Sequence, residues 1–187
     1  LGAPGGFFQV LRKDLATGAL AQVSVAPIGA LSNGDSLAGS LSRDGRWAAF
    51  QSDATNLVAG DANGVTDVFL RDMALGATFL ASKNAGGQFG NGASIEPRIS
   101  ADLVHVAFAS FASNLVAGDN NGNSDIFVYD LPFDFTSRVS VAQGGAEANN
   151  KSRAPVISGQ TRFVAFQSEA SNLNPGGTTG LLNVFLK

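Results

Sequence analysis

A chain of 187 residues with no cysteine, one histidine and a net charge of −3 leaves few kinds of chemistry open. Disulfide frames, cysteine-based metal or redox centres and multi-histidine sites are excluded, and 12 Lys and Arg with no cluster give no basic face for nucleic acid. No apolar run approaches the roughly 18 residues of a membrane span; 23 Gly and 14 Phe with only 14% charged residues point to β-strands joined by tight turns. The chain opens on Leu1 instead of Met, the start expected of a processed product or an excerpt.

In chain order, strands are expected at VLRKD (10–14) and ALAQVSVA (19–26), separated by Thr17-Gly18. GSLS (39–42) follows, then GRWAAFQS (45–52) after Asp44-Gly45, a two-residue hairpin signal. DVFLRD (67–72) and ATFLASK (77–83) flank Leu75-Gly76. A polar, Gly-rich connector at 84–94 leads to PRIS (97–100), LVHVAFAS (103–110), DIFVYD (125–130) and TSRVSVA (136–142), with weaker turns at Ala101-Asp102-Leu103 and Pro132-Phe133. A second connector at 142–152 leads to PVIS (155–158), TRFVAFQS (161–168) and NVFLK (183–187).

These segments repeat. NLVAGDANGVTDVFLRD at 56–72 returns as NLVAGDNNGNSDIFVYD at 114–130 and as a worn NLNPGGTTGLLNVF at 172–185, each shifted by 58 positions (114 − 56, 172 − 114). Phe50, Phe108 and Phe166 keep the same spacing. Four short strands per unit, in tandem and joined by polar crossovers, predict an all-β fold: a β-propeller of four-stranded antiparallel blades. The expected divisions are a partial blade at 7–26, full blades at about 37–83 and 95–142, and an incomplete blade at about 154–187. About three blades cannot close a ring that typically takes about 4–8, so the chain is either part of a longer propeller or completed by oligomerisation.

Ser42, Asp44-Gly45-Arg46, Ala49-Phe50 and Ser52, followed by Asn56-Leu57-Val58, Gly60-Asp61, Asn63-Gly64, Asp67, Phe69 and Asp72, resemble the WD40-like repeats of TolB-type β-propellers over nearly all of 7–187. The resemblance implies a bacterial propeller that is secreted, periplasmic or at the cell surface, of six to eight blades. It implies protein or peptide partners, polysaccharide-associated roles, or a scaffold beside a hydrolase domain outside these residues. The third copy departs from the pattern at Gly177, Thr179 and Asn183.

One metal is suggested by residue type. Asp61, Asn63, Val65 and Asp67, and again Asp119, Asn121, Asn123 and Asp125, set oxygen-bearing groups around Gly64 and Gly122, as Ca²⁺ requires. Val65 and Asn123 would add backbone carbonyls, and two carboxylates per loop imply weak affinity, about 10⁻⁴–10⁻³ M. The same residues are ordinary turn formers, since Asp and Asn accept backbone N–H groups in Asx turns, so both readings stand. Asn56, Asn114 and Asn172 are expected to be buried and to tie loops to the backbone, beside core leucines 57, 115 and 173. Asp14, Asp72 and Asp130 are expected to satisfy turn N–H groups.

His105 takes the place of Trp47 and Phe163 in the other copies and reads as a packing residue. Carboxylate pairs for glycosidase chemistry would come from Asp53, Glu96, Glu147 or Glu169, with no spacing that singles them out. Arg46, Arg98, Arg153 and Arg162 recur near strand starts, a weak sign of an anionic ligand. No catalytic triad presents itself, and the chain reads as a non-enzymatic binding or scaffold module. The alternatives are a structural subunit that pairs with its own copies through open strand edges and a propeller that accompanies a hydrolase.

Overall fold

The computed structural model describes residues 6–101, 105–174 and 182–187. The expected turn at Asp102-Leu103 and the third-copy departures at Gly177 and Thr179 lie outside them. Among the described residues there are thirteen strands, no α-helix and one turn of 3₁₀ helix at Pro27–Gly29. The strands are β1 (Leu11–Lys13), β2 (Leu20–Gln22), β3 (Ser36–Leu41), β4 (Trp47–Ser52), β5 (Asp67–Asp72), β6 (Ala77–Leu80), β7 (Ser94–Ile99), β8 (His105–Ser110), β9 (Asp125–Asp130), β10 (Phe135–Arg138), β11 (Ser152–Ile157), β12 (Val164–Ser168) and β13 (Asn183–Leu186).

They form four antiparallel sheets, ordered β1-β2, β3-β4-β5-β6, β7-β8-β9-β10 and β11-β12-β13. We call these blades 0 to 3. Sequence neighbours pair within a blade, and each connector carries the chain from an outer strand to the innermost strand of the next blade. The sheets do not close into a ring, so the chain is a partial propeller.

The repeat of phenylalanines explains the packing. Phe50 pairs with Phe69, Phe108 with Phe127 and Phe166 with Phe185 across the ladder. Their rings stack at 5.6, 5.9 and 5.7 Å. The phenylalanine side of each blade meets the small and branched side of the blade before it. Phe108, Ile99 and Val106 of blade 2 cover Ala49, Val68 and Leu70 of blade 1. Phe166, Ile157 and Val164 of blade 3 cover Ala107, Ile126 and Val128 of blade 2. Strands such as WAAFQS are apolar on both faces because both faces are interior.

Several expectations need correction, among them the fourth strands, which end at Gln22, Leu80 and Arg138 in place of 26, 83 and 142. The innermost strands begin three residues early, at Ser36, Ser94 and Ser152 in place of 39, 97 and 155, and run through a bulge. Pro97 and Pro155 read as strand starts because proline cannot donate to a ladder, but a bulge tolerates it. At these bulges Glu96 and Ala154 take positive φ (57° and 51°). The Asp44-Gly45 turn is a four-residue connection rather than a two-residue one, since Ser42 and Trp47 close it. Ser42 Oγ and the Arg46 N–H both donate to Asp44 Oδ1, which makes the longer turn self-supporting.

Buried hydroxyls repeat with the same period. The pairs Ser36–Ser52, Ser94–Ser110 and Ser152–Ser168 share hydrogen bonds of 2.8, 2.9 and 2.9 Å at the mouths of the inner hairpins. Each pair satisfies two polar groups in a place where water is excluded.

Candidate functional site

The loops after the second strand of each blade are held by paired asparagines. Asn56 Nδ2 donates to Leu31 O (2.9 Å) while its Oδ1 accepts from Asn33 N (3.1 Å). Asn114 does the same with Phe89 O and Asn91 N, and Asn172 with Glu147 O and Asn149 N. Asn33, Asn91 and Asn149 answer by accepting from the N–H of Thr55, Ser113 and Ser171. Asn56, Asn114 and Asn172 are half-buried rather than buried, and beside them Leu57, Leu115 and Leu173 are sunk into the core. The partner asparagines share the 58-residue spacing in the sequence (91 − 33, 149 − 91), a signal that the sequence reading passed over.

In the first acidic loop Asp67 is fully buried and ties strand to strand. Its Oδ1 accepts from Ser82 Oγ (2.6 Å), whose oxygen accepts from Val68 N, and its Oδ2 accepts from Asn63 Nδ2 (2.7 Å). Asn63 also donates to Gly90 O, while its Oδ1 accepts from Val65 N (3.2 Å). The amide therefore turns its NH₂ toward the carboxylate. Asp61 Oδ1 is buried with no hydrogen-bond partner.

The second loop repeats this network and adds charge. Ser140 Oγ and Asn121 Nδ2 donate to Asp125, Asn121 also donates to Ala148 O, and Asn123 N donates to Asn121 Oδ1. Arg138 of β10 then reaches in. Its Nη1 lies 3.0 Å from Glu147 Oε2, 3.4 Å from Asp119 Oδ1 and 3.5 Å from Asp125 Oδ2, and Nη2 donates to Gly118 O (3.1 Å). Arg138 and Glu147 stand where the first loop has Leu80 and Phe89 (138 − 58, 147 − 58). The sequence reading missed both, although a charge in place of an apolar residue at a repeat position was the available signal.

Burial raises Asp67 to about 6, and burial with the neighbouring Asp125 charge raises Asp119 to about 6. Burial also pushes Asp125 up. A carboxyl whose folded pKa lies above its unfolded value binds protons in the native state first, so its burial weakens the fold as pH rises through the folded pKa. Melting temperature should therefore fall between about pH 4 and pH 6 and level off above, with Asp67 contributing on the order of 2 kcal/mol. Thermal melts across that range check this, and Asp67→Asn should flatten the slope.

Asp72 acts oppositely. Arg46 donates to it through Nε (3.1 Å) and Nη2 (2.6 Å), and with the N–H groups of Ala74 and Leu75 this holds its carboxyl down at about 2. Asp14 and Asp130 accept turn N–H groups in the same way, from Ala16 and Thr17 and from Phe133. His105 is not only a packing residue: its Nε2 lies 3.1 Å from Asp130 Oδ2 at the rim of blade 2. The imidazole supplies there the polar partner for the strand-ending Asp that Arg46 supplies in blade 1.

Two grooves between blades repeat as well. One of about 380 Å³ is lined by Leu115, Val116, Ala117, Phe135 and Thr136, and one of about 320 Å³ by the matching Leu57, Val58, Ala59, Ala77 and Thr78.

Blades of four antiparallel strands with this connectivity match known propellers. The chain superposes on the putative TolB from Agrobacterium tumefaciens with a TM-score of 0.56 at 16% identity, covering 97% of this chain and 51% of that one. The fold is that of TolB-type β-propellers. TolB from Acinetobacter baumannii aligns with a TM-score of 0.51 at 18% identity over 94% of this chain and 37% of its own length. The tricorn protease gives 0.53 at 18% identity, over 92% of this chain and 14% of that one. This TolB-like chain thus spans about half or less of the length of each. No family model matches the sequence, and no curated protein matches it.

Proposed function

We propose that this chain is a non-catalytic recognition and scaffold segment of a bacterial propeller, secreted or exposed in the envelope, and that its last blade docks a second copy of the chain. The observation that carries the reading is the outer face of blade 3. Val156, Val184 and Leu186 are 59%, 74% and 68% exposed. The positions that match Val184 and Leu186 are Val68 and Leu70 in blade 1 and Ile126 and Val128 in blade 2, all of them 7% exposed or less. In those blades the next blade covers them. Blade 3 thus carries on its outer face the apolar positions that in blades 1 and 2 lie against a following blade. The rim grooves between blades, apolar with a few polar groups, supply the surface for a peptide partner.

Sedimentation velocity over a concentration series tests the docking. The wild-type chain should gain mass as concentration rises, while Val184→Asp combined with Leu186→Asp should stay monomeric. A wild type that remains monomeric throughout contradicts the reading.

A further inference from the structure

We propose that Asp119, Asp125 and Glu147 form a binding site for a hard divalent cation of the calcium class, for which Arg138 is the built-in competitor. This goes beyond the docking role and does not depend on it. The three carboxylates come from the β8–β9 loop, the start of β9 and the connector after β10, and each offers an oxygen within 4.8 Å of the other two. One ion at the 2.3–2.6 Å of a calcium–oxygen bond satisfies that spacing. The Asp119 side chain is 4% exposed and its Oδ2 has no hydrogen-bond partner, so one of the cluster's most buried oxygens is unused.

Arg138 marks where positive charge belongs without fully meeting the demand. One guanidinium faces three carboxylates, and two of its three contacts, at 3.4 and 3.5 Å, exceed the roughly 2.7–2.9 Å of a strong charge-assisted bond. If Arg138 swings out, Gly118 O, now taken by Nη2, becomes free as a fourth ligand. Water completes the shell, as it commonly does for calcium.

The repeat supplies a separate argument. The strand-tying role of Asp125 does not require a charge, because Gln9 fills that position in blade 0 and its Oε1 accepts from Ser24 Oγ at 3.0 Å. The same position is Asn183 in the last copy. In those two copies the residue matching Asp119 is Ala3 or Gly177. Carboxylates thus occur at both positions or at neither, as expected if the second serves the first. Only blade 2 adds a third acid, since Phe89 stands where Glu147 would be in blade 1.

Equilibrium dialysis with radioactive calcium, with magnesium as competitor, tests the site on the wild type, on Arg138→Leu (the residue blade 1 carries) and on both with Glu147→Gln. The wild type should bind one ion weakly, in the range of about 10⁻⁴–10⁻³ M. Arg138→Leu should bind at least tenfold tighter and melt higher with calcium, and Glu147→Gln should reverse both effects. A folded Arg138→Leu chain that binds no calcium at about 10 mM overturns the proposal, as does binding that Glu147→Gln leaves unchanged. Where Arg138→Leu does not fold, the wild-type arm decides. Weak binding lost in Glu147→Gln supports the site, and no wild-type binding at that concentration overturns it.

Discussion

Phe108→Ala is expected to destabilise the chain by about 3–5 kcal/mol, the cost of deleting a fully buried aromatic ring. Phe108 is wholly excluded from solvent, stacks on Phe127 at an interplanar angle of 25°, and lies against Ala49, Val68 and Leu70 of the preceding blade. The cavity would open between two sheets, each fixed by its own ladder, so neither can collapse to fill it. For a chain of this size, about 2–4 °C of melting temperature per kcal/mol translates the loss into a fall of roughly 10 °C. Phe133→Ala is the control, because that ring is 81% exposed and its removal should change stability by no more than about 0.5 kcal/mol. Equal effects of the two changes would mean that the stacked phenylalanines do not form the inter-blade core.

Gly39→Ala should cost about 1–3 kcal/mol through overpacking, although it adds a single methyl group. A Cβ at Gly39 would sit 2.6 Å from Pro97 Cγ and from Pro97 O of blade 2, and 2.8 Å from Ala49 O. Two of these three atoms are backbone oxygens of strands β7 and β4, so relief requires blades 1 and 2 to move apart. That movement would also disturb the hydrogen bonds from Ile99 N to Ser40 Oγ (2.7 Å) and from Arg98 Nη1 to Gly39 O. Gly144→Ala meets no atom within 4 Å and serves as the neutral comparison in chemical denaturation. An unchanged midpoint for Gly39→Ala would contradict the close approach of blade 1 to blade 2.

How much of this was legible in the sequence depends on the range of each interaction. The period of 58 and the Ala-Phe strand ends give the blades directly, because a repeated apolar pattern reflects a repeated interface. The third strands stand where DVFLRD and DIFVYD place them. The innermost strands do not, since a proline that ends most strands is absorbed by a bulge whose positive φ no residue type announces. At the acidic loops, the local motif locates Asp119 and Asp125, but Arg138 and Glu147 reach them from the fourth strand and the following connector. Only the fold brings such residues together. Val184 and Leu186 look like any strand residues in the sequence, and their meaning emerges from comparison with Val68, Leu70, Ile126 and Val128, which a next blade covers.

Under the docking proposal, the outer face of blade 3 receives a blade of a second chain. Hydrogen exchange by mass spectrometry at low and high protein concentration tests it most directly. Peptides spanning β13 should gain protection as concentration rises, while those of β4 and β8, already sealed between blades, exchange at the same slow rate throughout. Exchange in β13 that is fast and independent of concentration would contradict it.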